Sequence, residues 1–259
     1  MRLKGNTMII TGGNGGIGEA MALTCAGEGA NVVIVGRNRD KNERVCEKLK
    51  GIPGGEPMSI QANLKDEGEI KSMVSAVAQK YGRIDTLVNN AGIFGNTADV
   101  PNFMKPFDEI TVEEWDTVMA TNVRAAFLCC KHAAPVMRAQ NKGSIINVAS
   151  TTAWLGAPMF LHYGASKGAL LTMTKGLAIS LAPYNVRVNT LCPGQVMTDS
   201  CLSVSSSREE VAKSILGKQL LRIVTEPEDI AGIIVYLASD ESRVVTGQAF
   251  GVNGGGFLH

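Results

Sequence analysis

The chain has 259 residues, with 25 lysines and arginines against 24 acidic residues and a net charge of +1. No basic stripe or charge block interrupts it, so nucleic-acid binding lacks its electrostatic footprint. No signal-peptide pattern, lipidation motif or run of about 18 apolar residues is present, and the expectation is a soluble, cytoplasmic protein away from membranes. The six cysteines (Cys25, Cys46, Cys129, Cys130, Cys192 and Cys201) form no C-x-x-C pair and have no ligand spacing with His132, His162 or His259, which fits a reducing compartment and gives no metal site.

Residues 7–11 form a short apolar run. The glycine-rich stretch Gly12, Gly13, Asn14, Gly15, Gly16, Ile17, Gly18 follows at once, and a helical pattern then runs to about residue 28, where Gly29 offers a stop. Strand, glycine loop and helix in that order bring backbone N–H groups and a helix N-terminus to a pyrophosphate. In this reading Gly12 permits the tight turn, Gly16 the approach of phosphate, and Gly18 the packing of helix on strand. A second strand over 32–35 ends at Gly36 and Arg37. A helix over 41–50 follows, then a third strand over 58–61 with Asn63 at its end.

Further strand-like runs stand at 87–89, 144–148 and 186–191, with a long helical stretch over about 111–137 holding Asn122. Alternation of strand and helix without a linker predicts one doubly wound, Rossmann-type α/β domain over 1–259, its sheet mostly parallel and covered by helices on both faces. Within it, roughly 1–140 would form the cofactor half and roughly 141–259 the catalytic and substrate half. Ligands of such sheets lie beyond the carboxyl ends of the strands, where Arg37, Asn63, Asn90, Ser150, Pro193 and Gly194 all fall.

The remaining chemistry sits near residue 163. Tyr163 and Lys167 are four apart on a helical stretch and share one face, with Ser150 upstream at the end of an apolar strand. A phenol titrates at about 10 in water, and an adjacent ammonium favours phenolate. The expectation is a Tyr163 with lowered pKa that serves as general acid and base.

Taken with Thr11-Gly12-x-x-x-Gly16-x-Gly18, Asn89-Asn-Ala-Gly92, Asn122, Pro193-Gly194 and Thr246-Gly-Gln248, these residues resemble the short-chain dehydrogenase/reductase family over essentially the whole chain. The resemblance implies hydride exchange between a nicotinamide cofactor and a secondary alcohol or ketone. It assigns catalysis to Asn122, Ser150, Tyr163 and Lys167, with Asn122 holding a water beside the lysine. It implies cofactor contacts from Gly12, Asn14, Gly15, Gly16, Ile17 and Gly18 in the loop. Further contacts would come from Arg37, Asn63, Leu64, Asn90, Ala91 and Gly92, then from Tyr163, Lys167, Pro193, Gly194, Val196 and Thr198. Ser150, Thr152, Trp154 and Tyr163 would meet a small-molecule substrate.

Three places depart from the family pattern: Asn63 replaces a common aspartate, Trp154 a common glycine, and the stretch after Gly92 is long. That stretch borders the expected site and reads as a substrate lid. The serine-rich segment of roughly 199–218 reads as a second, mobile lid. The absence of a carboxylate at Gly36, with Arg37 next to it, favours NADP as cofactor, with NAD the alternative. Assembly through the helices holding Asn122 and Tyr163 is expected to give a homotetramer or a homodimer. The rival readings are a nonredox epimerase or dehydratase of the same fold, and a noncatalytic dinucleotide sensor.

Overall fold

The computed structural model describes residues 1–258. Seven strands, β1 (Thr7–Thr11), β2 (Asn31–Gly36), β3 (Met58–Gln61), β4 (Thr86–Asn89), β5 (Gly143–Val148), β6 (Val186–Pro193) and β7 (Ala249–Val252), form one sheet in the order β3-β2-β1-β4-β5-β6-β7. Every neighbouring pair is parallel. The fold is the doubly wound α/β sheet that the alternating pattern predicts.

Alternate residues along each strand point to opposite faces. Met8, Ile10, Val32, Ile34 and Val88 pack beneath α1 (Gly16–Gly27), α2 (Arg39–Lys50) and α10 (Pro227–Ala238). Ile9, Val33, Val35, Leu87 and Ile145 pack beneath α3 (Glu67–Tyr81), α5 (Ala125–Gln140) and α7 (Leu161–Leu181). Burial on both faces explains why β1 and β5 read as unbroken apolar or small-residue runs. No helix among the described residues is long and apolar enough to cross a membrane.

The chain reverses its direction of travel across the sheet between β1 and β4. At such a switch point the connecting loops diverge and leave a crevice at the strands' carboxyl ends. The crevice here lies over the ends of β1, β4, β5 and β6. The sequence pattern names neither α3 nor α10, and it also misses α6 (Thr152–Leu155), the edge strand β7, and a π-helical segment over Ala120–Arg124 between α4 (Val112–Met119) and α5. The expected continuous helix over 111–137 is therefore widened at Asn122. The segment roughly 199–218 folds as α8 (Asp199–Leu202) and α9 (Arg208–Lys218).

Candidate active site

Thr11 closes β1 and ties the glycine loop to the turn after β4. Its Oγ1 accepts from the N–H groups of Asn90 at 3.0 Å and Ala91 at 3.1 Å and donates to the Val88 carbonyl at 3.2 Å. Asn90 answers by donating its Nδ2 to the carbonyls of Thr11 and Gly12, both at 3.1 Å. Gly18 sits inside this knot. A Cβ there would stand 2.2 Å from the Gly12 carbonyl oxygen and 2.6 Å from Asn90 Nδ2, so helix α1 can start this close to β1 only with glycine. The packing role expected for Gly18 is what the structure contains.

Gly12 and residues 14–18 line one side of a cavity of about 730 Å³. Asn90, Ala91, Gly92, Pro193, Gly194, Val196 and Thr198 continue that wall, and Ser150, Thr152, Tyr163 and Lys167 face it from the other side. Lys167 is buried and donates Nζ to the Val148 carbonyl at 2.8 Å, with Nζ 5.5 Å from the centre of the Tyr163 ring. Ser150 Oγ accepts from the N–H of Thr152 at 3.2 Å, and its hydroxyl favours the charged form of the Tyr163 phenol.

Asn122 is held from two directions. Its Oδ1 accepts from the Ile93 N–H at 2.7 Å, and its Nδ2 donates to Ser166 Oγ at 3.0 Å. Ser166 in turn donates to the Tyr163 carbonyl at 2.7 Å. A Cβ added to Gly92 would lie 3.1 Å from Asn122 Oδ1 and 3.5 Å from Lys167 Nζ, so these two side chains converge on one point of the wall. The i→i+5 bond from the Ala125 N–H to the Ala120 carbonyl is the wider turn of a π-bulge, a form concentrated at functional positions.

The electrostatics correct one expectation. The Tyr163 phenol is pushed up from its ordinary value, not down, because burial penalises the phenolate more than the Ser150 hydroxyl favours it. Helical spacing does bring Lys167 to Tyr163, but its ammonium engages the Val148 carbonyl. Burial also lowers Lys167 itself to about 8, so near neutrality it is the more readily titrated member of the pair.

Some expected contacts lie elsewhere. Arg37 points to the surface and donates Nη1 to Asp99 Oδ2 at 2.9 Å. Asn63 is exposed, with its N–H donating to Glu69 Oε2 at 2.8 Å, and Leu64 is buried under β3 in the core. None of the three is among the cavity walls. Nor is Trp154: α6 turns its ring onto Phe257, centroids 5.2 Å apart and 18° from parallel. Thr152 does line the cavity, and its Oγ1 is buried with no hydrogen-bond partner among the described residues. Among the residues 93–111, Ile93, Phe94 and Met104 line the cavity, while Val100 and Phe103 are fully buried beside Phe160 and Tyr163.

Asn42 is a supporting residue that the sequence pattern does not flag. It donates Nδ2 to the carbonyls of Gly36 and Ile60, both at 2.9 Å, and its Oδ1 accepts from Asn14 Nδ2 at 2.6 Å. Its helical position resembles any buried polar residue of an amphipathic helix, so no local signal marks it as a strut of the glycine loop.

A family model described as enoyl-(acyl carrier protein) reductase matches residues 12–256. A 3-oxoacyl-(acyl-carrier-protein) reductase of Thermotoga maritima is 38% identical over 256 residues, covering 98% of this chain and 99% of the relative. The enzyme of that name from Staphylococcus aureus is 36% identical over 251 residues, 96% of this chain and 97% of its own. Among solved structures, a short-chain type dehydrogenase/reductase from Mycobacterium ulcerans superposes with a TM-score of 0.91 at 30% identity, covering 99% of this chain and 91% of that one. Levodione reductase superposes with a TM-score of 0.90 at 27% identity, covering 98% of each chain. Because these likenesses run from end to end and are not confined to the glycine loop, the chain belongs to the short-chain dehydrogenase/reductase family and is an oxidoreductase that moves hydride between a nicotinamide cofactor and a secondary alcohol or ketone.

Proposed function

We propose that the enzyme interconverts an apolar ketone and its alcohol with NADP(H), using Tyr163 as general acid and base. The observation that carries this reading is the convergence of Ser150, Tyr163 and Lys167 on one cavity, opposite the glycine loop. The cavity residues fit a dinucleotide, since the bare backbone at Gly15 and Gly16 and the N-terminal N–H groups of α1 leave a cradle for pyrophosphate. When bound, the nicotinamide supplies or accepts the hydride.

The protein's own groups handle the oxygen. Tyr163 gives its proton to the ketone oxygen in reduction and takes it from the alcohol in oxidation. Ser150, whose Oγ accepts from the Thr152 N–H, donates its hydroxyl proton to the negative charge growing on the substrate oxygen. Lys167, lowered to about 8, returns a proton toward Tyr163, and Asn122 orders a water that links the lysine to solvent. Phe94, Met104, Leu155, Phe160 and Val204 give the cavity an apolar wall. Relatives named as 3-oxoacyl reductases support a keto group carried on such a body.

Cofactor choice rests on the end of β2. A Cβ at Gly36 would lie 2.4 Å from Asn14 Nδ2 and 2.8 Å from Asn42 Oδ1, so a carboxylate-bearing residue at the place where it would accept a ribose 2′-hydroxyl would displace the strut beneath the glycine loop. Arg37 instead offers a guanidinium for a 2′-phosphate, and the exposed Asn63 at the end of β3 offers an amide to the adenine. Arg37→Ala should weaken NADPH binding by about 1.5–3 kcal/mol, the scale of hydrogen bonds to charged groups, and leave NADH little changed. The test is nicotinamide absorbance with a ketone panel and both cofactors, together with binding titrations of the variant. A wild-type preference for NADH, or equal losses for both, would overturn the assignment.

We read the chain as a single domain, with the dinucleotide held mainly by roughly 1–140 and catalysis and substrate by the rest. The residues 199–218 act as a lid, because Ser200, Cys201 and Val204 already line the cavity. Bound cofactor and ketone should raise amide hydrogen-exchange protection across α8 and α9; unchanged protection would reduce the segment to a surface connection.

Phe127 on α5 is 48% exposed and Ile179 on α7 is 77% exposed. These apolar side chains support assembly through the two helices, and a homotetramer is the expected species by light scattering at micromolar concentration. A monomer there would refute it. Six free, buried cysteines support a cytoplasmic setting.

A further inference from the structure

The segment that follows β4 reaches farther than the substrate pocket. Starting beside Asn89, it spans the end of β1 and brings Asp99 to the ends of β2 and β3. There Asp99 Oδ2 accepts from Arg37 Nη1 at 2.9 Å and lies 3.8 Å from Lys65 Nζ. Arg37 follows β2 directly, and Lys65 comes from the loop after β3. Two cations from neighbouring strand ends thus share one carboxylate, delivered from the far side of β1.

The placement of Asp99 is built into the fold. Thr97 donates its N–H to the Val100 carbonyl at 3.0 Å, and Thr97 Oγ1 accepts from the Val100 N–H at 3.0 Å. This closes a tight turn around Asp99. Val100 is fully buried and packs with Phe103, whose N–H donates to Asn96 Oδ1 at 3.0 Å. The turn is therefore pinned to a small apolar core, and Asp99 stands at its solvent side facing Arg37. The Arg37 hydrogen bond holds the Asp99 carboxyl below its ordinary range.

We infer that Asp99 is a specificity-determining residue, an internal counter-ion that occupies Arg37 and Lys65 and competes with the cofactor's 2′-phosphate for them. The inference rests on the reading of Arg37 as the 2′-phosphate contact. Asp99 holds Arg37 through Nη1, so a phosphate that takes the guanidinium edge containing Nη1 in bidentate fashion must displace the carboxylate. An additional negative charge beside a phosphate also repels it. NAD(H), which carries no phosphate at this position, has no such competition. Asp99 therefore reduces the margin by which NADP(H) is preferred.

The test measures Kd for NADPH and NADH by fluorescence titration on full-length wild type, Asp99→Asn, Asp99→Ser, Arg37→Ala and the Arg37→Ala/Asp99→Asn pair. Both Asp99 variants should bind NADPH about two- to fivefold more tightly, the scale of one exposed ion pair, with NADH unchanged. The gain should shrink as salt rises. In the Arg37→Ala background it should fall below twofold. If Arg37→Ala weakens NADPH but the Asp99 variants leave it unchanged, weaken it, or move both cofactors alike, Asp99 is only a tether and the inference fails while the cofactor assignment stands. Selective loss of NADH binding in the Asp99 variants would make Asp99 a ribose hydroxyl acceptor and overturn the inference in the opposite sense. If Arg37→Ala leaves NADPH binding intact, the cofactor assignment fails and takes the inference with it.

Discussion

Tyr163→Phe is expected to lower kcat by at least about 100-fold, the scale of lost general acid–base help, while NADPH affinity stays near wild type. The substitution removes one hydroxyl and keeps the ring. That ring is 5.0 Å from Phe94 and 6.1 Å from both Phe103 and Phe160, so the small aromatic core between the post-β4 segment and α7 keeps its packing. Ser150, beside the phenol, keeps its bond from the Thr152 N–H at 3.2 Å. Steady-state nicotinamide absorbance at saturating cofactor reads the loss, and fluorescence titration checks the binding. Turnover close to wild type would remove Tyr163 from the mechanism.

The sheet and the glycine loop were legible because their constraints are local. Strands buried on both faces need continuous apolar runs, and the loop needs glycine at fixed intervals, as Gly18 illustrates against the Gly12 carbonyl. Elements made by distant partners carry no comparable signal. Strand β7 is four residues, Ala-Phe-Gly-Val, and becomes a strand through its pairing with β6. The π-bulge over Ala120–Arg124 has no compositional mark, and the tertiary bonds from Asn122 to Ile93 and Ser166 accompany it.

The same distinction runs through the site. The spacing of Tyr163 and Lys167 correctly put both on one face, but it said nothing about where the ammonium would aim. The Val148 carbonyl at 2.8 Å takes it, and burial reverses the expected direction for the phenol. Trp154 was assigned to the pocket from its place in a motif, yet Phe257 from the C-terminal end draws its ring away. The Arg37–Asp99 pair joins residues 62 apart, and an isolated arginine after a strand gives no hint of such a partner. Local chemistry was readable; the directions of long side chains were not.

Replacing Lys167 with methionine should separate stability from activity. The flexible methionine stem approximates the aliphatic part of lysine but carries no charge and no proton, so kcat should fall by at least about 100-fold. Stability depends on pH in the opposite way. Lys167 is 4% exposed, and burial lowers it from 10.5 to about 8. A lysine depressed on folding contributes stability that is fully present above its unfolded pKa and is lost as pH falls through its folded one. Relative to the variant, ligand-free wild type should therefore gain stability as pH rises from about 8 to 10.5. That window corresponds to roughly 3 kcal/mol at about 1.4 kcal/mol per pH unit. Below about 8 the burial penalty of the ammonium acts in full. The difference between the two proteins should therefore be constant below that pH. Urea unfolding of both proteins at matched pH values measures the difference directly, with the variant correcting for every other group that titrates. A gap between them that stays constant across the range would mean that Lys167 keeps its ordinary pKa in the fold, and the proton relay assigned to it would lose its physical basis.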